Sequence, residues 1–282
     1  GTRLSPAALG LLASLGLGEV AVLRRLRVAY FSTGDEILSL GQAPREGAVY
    51  DSNRYTVSAL LARLGVEVID LGVVPDRPDA LRAAFGQAAA RADAVITSGG
   101  VSVGEADHTR AMMRQLGDVV FWRIAMRPGR PMAVGRIAAA AVDLQKKSGP
   151  DACPESASSS QNNSDSAILF GLPGNPVAVM VTFLAFVRPA LLRMMGARPE
   201  PPVLLRAQSS QAIPKKPGRT EYQRGIVSTQ PDGRLRVCTT GNQGSGVLSS
   251  MVQANGLIVL GHAQGDVAVG DEVSVMMFEG VL

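Results

Sequence analysis

Acidic residues recur just past apolar runs in this chain, and three arginines flank one proline-stiffened turn. Glu36 follows residues 27–32, Asp76 follows 66–74, and Asp107 follows 94–97 through a glycine-rich stretch. Carboxylates at the mouth of a parallel sheet suit Mg²⁺, which takes one or two of them and completes its shell with water and substrate oxygens. Each acid also has a plainer use. Asp107 fits a helix N-cap, and Asp35 and Asp76 taken singly fit solvated turns. Taken jointly, the pattern favours Glu36 and Asp107 as metal-binding residues.

Arg123, Arg127 and Arg130 flank another strand end, where Pro128 and Pro131 stiffen the turn. Guanidinium groups at that spacing match a tetrahedral oxyanion or phosphate, or else form a solvated basic edge. Ser98-Gly99-Gly100 would let backbone N–H groups approach a ligand. Pro173-Gly174-Asn175 leads into an apolar helix whose N-terminus offers N–H groups to an anion, although a tight strand-to-helix turn explains it equally well.

Positioning these residues requires alternating strands and helices. Apolar runs at 27–32, 66–74, 94–97, 119–125, 132–137 and 168–170 read as strands. Helical faces carry Val57, Leu60, Leu61 and Leu64, then Leu81, Ala84, Phe85 and Ala88, then Met112, Met113 and Leu116. The alternation predicts a parallel sheet with right-handed crossovers. A long apolar helix should run from Pro176 to Met195, kinked at Pro189. After a proline-rich linker at 198–202 the period changes to short strands at 203–207, 221–228, 234–239, 256–260 and 272–277, a small all-β domain. Residues 1–25 read as an N-terminal helical segment, 26–197 as the α/β domain and 198–282 as the β domain. The Ser- and Asn-rich stretch at about 140–166 reads as a disordered surface insertion.

Composition narrows the function. The chain is 46% hydrophobic and 18% charged with a net charge of +4, and aromatics are only 4% of residues. Dispersed cations and few aromatics argue against nucleic acid. No apolar run reads as approaching membrane-span length and the start does not resemble a signal peptide, so the expected residence is cytoplasmic with no membrane partner. Cys153 and Cys238 lack the spacing of a zinc cluster or disulfide framework.

Several motifs then become specific: STGDE, YDSNRY, TSGGVSVGEADHT, FWR, RPGRP, GLPGNPV and TGNQGSGVLSSM. Together, and in this order, they resemble the molybdopterin molybdenumtransferase family, the MoeA proteins and the corresponding domain of gephyrin. The resemblance implies a three-layer α/β molybdopterin-binding domain followed by a small β domain. It implies a Mg²⁺-dependent transferase that inserts molybdenum from molybdate into adenylylated molybdopterin, releases AMP and forms molybdenum cofactor. It also implies a homodimer and a partnership with molybdopterin adenylyltransferase. By matching motif, Glu36, Asp76 and Asp107 fall on the family's functional acids. Ser98, Gly99, Gly100, Ser102, Pro173, Gly174 and Asn175 fall on its ligand loops. Arg123, Arg127 and Arg130 supply cations, two of them where members often carry lysine. Arg219 and Ser249 fall in the molybdate region. Full-length members carry N-terminal domains ahead of the segment matched here, so residues 1–25 are expected to be the remnant of a preceding domain. Two other classes fit the same residues: a non-catalytic pterin-binding scaffold of gephyrin type, and a pterin or nucleotide hydrolase on the same α/β fold.

Overall fold

The computed structural model describes residues 1–101, 108–138, 166–198, 200–279 and 281. The chain opens with helix α1 (Pro6–Ser14), whose Ser5 hydroxyl accepts the Ala8 N–H. An extended stretch then leads to strand β1 (Arg27–Thr33), so of the N-terminal segment expected to be helical only α1 is. Next come β2 (Ile37–Leu38), β3 (Val49–Tyr50), α2 (Ser52–Leu64), β4 (Glu67–Val74), α3 (Pro78–Arg91) and β5 (Ala94–Ser98). They are followed by α4 (His108–Leu116), β6 (Gly117–Arg123), β7 (Met126–Arg127), β8 (Pro131–Ala138) and β9 (Ser166–Leu172).

These strands form a six-stranded sheet in the order β4-β1-β5-β9-β8-β6. The first four are parallel, as the alternating pattern predicted, and β6 shares their direction. Strand β8 is antiparallel to both its neighbours, so the sheet is mixed. The physical reason lies in the connection. Residues 124–130 are too few for a crossover of about a dozen, and a short link forces the next strand to return antiparallel.

Alternate residues of the central strands face two cores. Val28, Tyr30 and Ile96 pack against Val57 and Leu61 of α2 and against the long helix α5 (Pro176–Met194). Ala29, Phe31 and Val95 face Leu81 and Phe85 of α3 and Met112 and Met113 of α4. Helices on both faces make the three layers. Helix α5 is long and apolar enough to cross a membrane by length and composition, which corrects the reading that no apolar run approaches span length. Here Val177, Val179, Val181, Phe183, Leu184 and Val187 are all buried in the core. Pro189 was expected to kink this helix. A π turn at Phe183–Val187 precedes it, with the Arg188 N–H donating to the Phe183 carbonyl, a register change of the kind that accommodates interruptions in helices.

The remaining strands are β10 (Leu205–Ser209), β11 (Thr220–Thr229), β12 (Leu235–Thr239), β13 (Gly256–Leu260) and β14 (Glu272–Met277), with helix α6 (Ser249–Gln253) between β12 and β13. They pair in the order β12-β10-β14-β13-β11, and β11 pairs back to β12, closing a barrel around Ile258, Leu260 and Val275. Closure removes the free edges that an open sheet would expose. The strand read over 119–125 runs instead over Gly117–Arg123, and strand β7 does not continue it. It leaves the α/β sheet and pairs with the start of the barrel strand β11. Residues 140–165 of the expected insertion lie outside the described residues, as do Ser102 and Asp107.

At the base of the sheet Asp93 accepts two hydrogen bonds from the Arg24 guanidinium, at 2.7 and 2.6 Å, and one from the Arg27 N–H at 2.8 Å. The Arg24 hydrogen bonds, with help from Arg27, hold its carboxyl well below the usual carboxylate range. A depressed folded-state pKa contributes stability above the unfolded value, near pH 4, which is lost as pH falls toward the folded value. Asp93→Asn should therefore melt below the wild type at pH 7. The gap should narrow as melting is followed from pH 5 down to pH 3.

Candidate functional site

The registers Ser32↔Ser98 and Ser98↔Leu172 bring the carboxyl ends of β1, β5 and β9 into line. Loops leaving that edge share one crevice, the usual ligand position in open α/β sheets. Gly99 turns back at φ +94°, where its N–H donates to the Leu172 carbonyl at 3.1 Å. A Cβ there would lie 2.3 Å from the Thr33 carbonyl oxygen. After β1, Gly34 (φ +147°) leaves the space into which the Glu36 carboxylate folds. The small parallel pair β2–β3 then carries the chain to Asp51, the N-cap of α2.

A cleft of about 1060 Å³ opens between this edge and the barrel. Of the residues picked from sequence, Glu36, Ser98, Gly99, Arg127, Arg130, Pro173, Gly174, Asn175 and Arg219 line it. Gly100, Asp76, Arg123 and Ser249 do not. Gly100 is held by packing, since a Cβ on it would strike the Thr109 side chain. Asp76 accepts the Thr109 hydroxyl at 3.0 Å and so ties the loop after β4 to α4. Arg123 sits at the end of the edge strand β6, opposite Pro131 and exposed. Because β7 departs for the barrel, Arg123 and Arg127 do not share a strand face. Ser249 is exposed at the start of α6, whereas its neighbour Ser250 is buried.

The structure adds residues that the sequence offers only within family motifs: Tyr50, Asp51, Ser52 and Asn53 beside α2, and Gln243, Gly244, Ser245 and Gly246 of the barrel. The signal was present in YDSNRY and TGNQGSGV, but capping chemistry explains the first and turn chemistry the second. The barrel loop reaches across: the Ser245 carbonyl accepts the Val177 N–H at 3.1 Å. One N–H in the first turn of α5, expected to face an anion, is thus satisfied by protein.

Behind that loop stands Arg224, 1% exposed. It donates to the Ser250 hydroxyl at 3.0 Å and to the carbonyls of Gly244 and Asn242 at 3.0 and 3.4 Å. Burial, with a smaller contribution from Arg127, lowers its pKa to about 10, so it stays charged at neutral pH. Arg219 donates to the buried Glu221 at 2.8 Å. Tyr30, Ser32 and Ser98 form a hydroxyl triangle with oxygens 2.7, 2.8 and 3.2 Å apart, and burial pushes the Tyr30 hydroxyl pKa up, keeping it protonated. Among the described residues no three His, Cys, Asp or Glu converge as a metal cluster. The Glu36 carboxylate is a hard oxygen donor exposed in the cleft. It fits an ion such as Mg²⁺, which binds through as few as one carboxylate together with substrate phosphates.

Residues 29–193 match the family described as "Probable molybdopterin binding domain", and residues 206–278 match "MoeA C-terminal region (domain IV)". The chain belongs to the MoeA family. It is 39% identical over 283 residues to a molybdopterin molybdenumtransferase of Haemophilus influenzae, covering 100% of this chain and 63% of that protein. A molybdopterin molybdenumtransferase of Nostoc is 35% identical, covering 98% of this chain and 58% of its own length. Among solved structures, a molybdopterin biosynthesis moea protein from Pyrococcus horikosii superposes with a TM-score of 0.73 at 27% identity, covering 99% of this chain and 61% of that one. This MoeA-family chain thus spans about three fifths of the length of the curated relatives it matches.

The tight return at Gly99 adds one hydrogen bond to the ladders that hold the ends of β1, β5 and β9 together. Gly99→Ala should cost at least roughly 1–3 kcal/mol from backbone strain alone, read as a lower urea midpoint. A variant as stable as the wild type would show that the loop relaxes freely.

Proposed function

We propose that the cleft carries the molybdenum-inserting step of molybdenum cofactor biosynthesis: molybdate and adenylylated molybdopterin enter, the two dithiolene sulfurs replace one oxo group, which departs as water with the thiol protons, and water cleaves the phosphoanhydride so that AMP leaves. The observation that carries the reading is the meeting of Arg127, Arg130 and Arg219 in one cleft with Glu36 and the polar ends of β1 and β5. Curated relatives named molybdopterin molybdenumtransferase support the same role.

Guanidinium groups are permanently charged and present paired donors, so these arginines bind oxyanions and do not act as bases. Molybdate loses one oxo ligand as the dithiolene sulfurs replace it, and negative charge develops on the departing oxygen and on the phosphate of AMP. Fixed cations aimed at such charge lower the barrier more than they tighten ground-state binding. Arg224, held behind Gly244 and Ser250, adds positive potential without touching solvent. Glu36 would hold Mg²⁺ beside the phosphates. When bound, the ion neutralises charge on phosphate oxygens. The hydroxyls of Ser32 and Ser98, braced by Tyr30, give the floor of the cleft fixed hydrogen-bonding positions.

Arg127→Ala should weaken molybdate binding by about 1.5–3 kcal/mol, the scale of a charge-assisted hydrogen bond, measured by calorimetric titration. Arg123→Ala, on the exposed sheet edge, should leave it unchanged. Equal losses in the two variants would return the arginines to a diffuse basic surface, and no loss in Arg127→Ala would remove the oxyanion site from this turn.

A further inference from the structure

The first turn of α2 holds two buried acceptors without a donor. Asp51 and Asn53 are 4% and 7% exposed. Asp51 Oδ1 accepts the Arg54 N–H at 3.0 Å, and Asn53 Nδ2 donates to the Gly174 carbonyl at 2.7 Å. Among the described residues their other oxygens, Asp51 Oδ2 and Asn53 Oδ1, have no hydrogen-bond partner. Buried polar atoms in native proteins are nearly always paired, so two orphans two residues apart call for an explanation. Both residues line the cleft. Helix capping does not supply it, because capping uses only Oδ1. The nearby hydroxyls do not either, because Tyr30, Ser32 and Ser98 bond to one another.

A ligand in the cleft can supply the missing donors in place of water, and the chemistry of the cleft says which end of it. The guanidinium groups sit on the β7–β8 turn and the barrel, at Arg127, Arg130 and Arg219. The unpaired acceptors sit on α2. A molecule with an anionic end and an N–H-rich end fits this division in one orientation.

We propose that Asp51 and Asn53 form the subsite for the aminopyrimidinone edge of a pterin. That edge carries an amino group and a ring N–H side by side, donors suited to Asp51 Oδ2 and Asn53 Oδ1. The carboxylate hydrogen bond is charge-assisted and therefore the stronger of the two. An adenine edge pairs one donor with one acceptor, and its acceptor would face an oxygen, so the subsite selects pterin over the adenylyl base. The assignment rests on the reading of the cleft as a pterin transferase site.

The test uses the whole chain and three probes, 6-hydroxymethylpterin, molybdate and AMP, each titrated without and with Mg²⁺. Asp51→Asn keeps the helix cap, since Asn caps about as well as Asp, and replaces the acceptor charge. Asp51→Ser keeps a cap with a smaller side chain and serves if the first variant fails to fold. Both should lose at least about tenfold in pterin affinity, with molybdate affinity and melting temperature unchanged. Unchanged pterin affinity overturns the subsite. So does a loss of AMP affinity in place of pterin, which would put the ribose hydroxyls there, and so does a loss seen only with Mg²⁺, which would make Asp51 a metal ligand. Wild-type chain that binds molybdate but no pterin overturns the subsite alone. Wild-type chain that binds neither overturns the proposed function with it.

Discussion

Two backbone residues of β7 join the halves of this molecule. Met126 and Arg127 leave the α/β sheet and pair with Thr220 and Glu221 of the barrel, and the Thr220 N–H donates to the Ala125 carbonyl at 2.9 Å. The ladder fixes the barrel against the sheet edge where β1, β5 and β9 end. A second tie, Ser245 to Val177, anchors the barrel loop on helix α5. Without these hydrogen bonds the guanidinium groups of Arg219 and Arg127 would belong to separate surfaces, and the cleft would have one wall. Gly129 shows how close the fit is: a Cβ there would lie 2.3 Å from the Thr182 hydroxyl of α5.

The cleft that results keeps its charges apart. Carboxylates and bare acceptors come from the sheet edge and α2, and cations come from the turn after β7 and from the barrel. Arg224 is the least expected member. Among the described residues no carboxylate pairs with this buried guanidinium, a costly arrangement, and its hydrogen bonds go to neutral oxygens. Its place behind the loop at 242–246 gives that cost a use, because a fixed positive charge in a poorly solvated wall acts on an anion more strongly than a solvated one.

Much of the fold is legible from residue patterns because side-chain burial repeats with the period of each element. The strand and helix sequence from Val28 to Leu172, and the change to short strands after the linker, follow from that periodicity. Direction is not encoded in the same way. A run such as 132–137 carries the same residues at the same alternation whichever way it runs, so the reversal of β8 had to come from the length of its connection. Nor does apolar content reveal that β7 changes sheets, which made Arg123 and Arg127 look like a pair. At the site, Ser249 and Ser250 are equally polar in sequence, and only the turn of α6 decides which is buried against Arg224. Asp51 and Asn53 read as a helix start because they are one. Their unpaired oxygens exist only once Gly174 has been brought beside α2.

The central claim is that one oxyanion site is shared between the β7–β8 turn and the barrel. Anomalous diffraction at the molybdenum edge from crystals soaked in molybdate tests it most directly. The account predicts a peak in the cleft within hydrogen-bonding reach of Arg127 or Arg130 and also of Arg219. A peak on the exposed edge beside Arg123, or one held by the α/β domain with Arg219 turned away to Glu221, would contradict it.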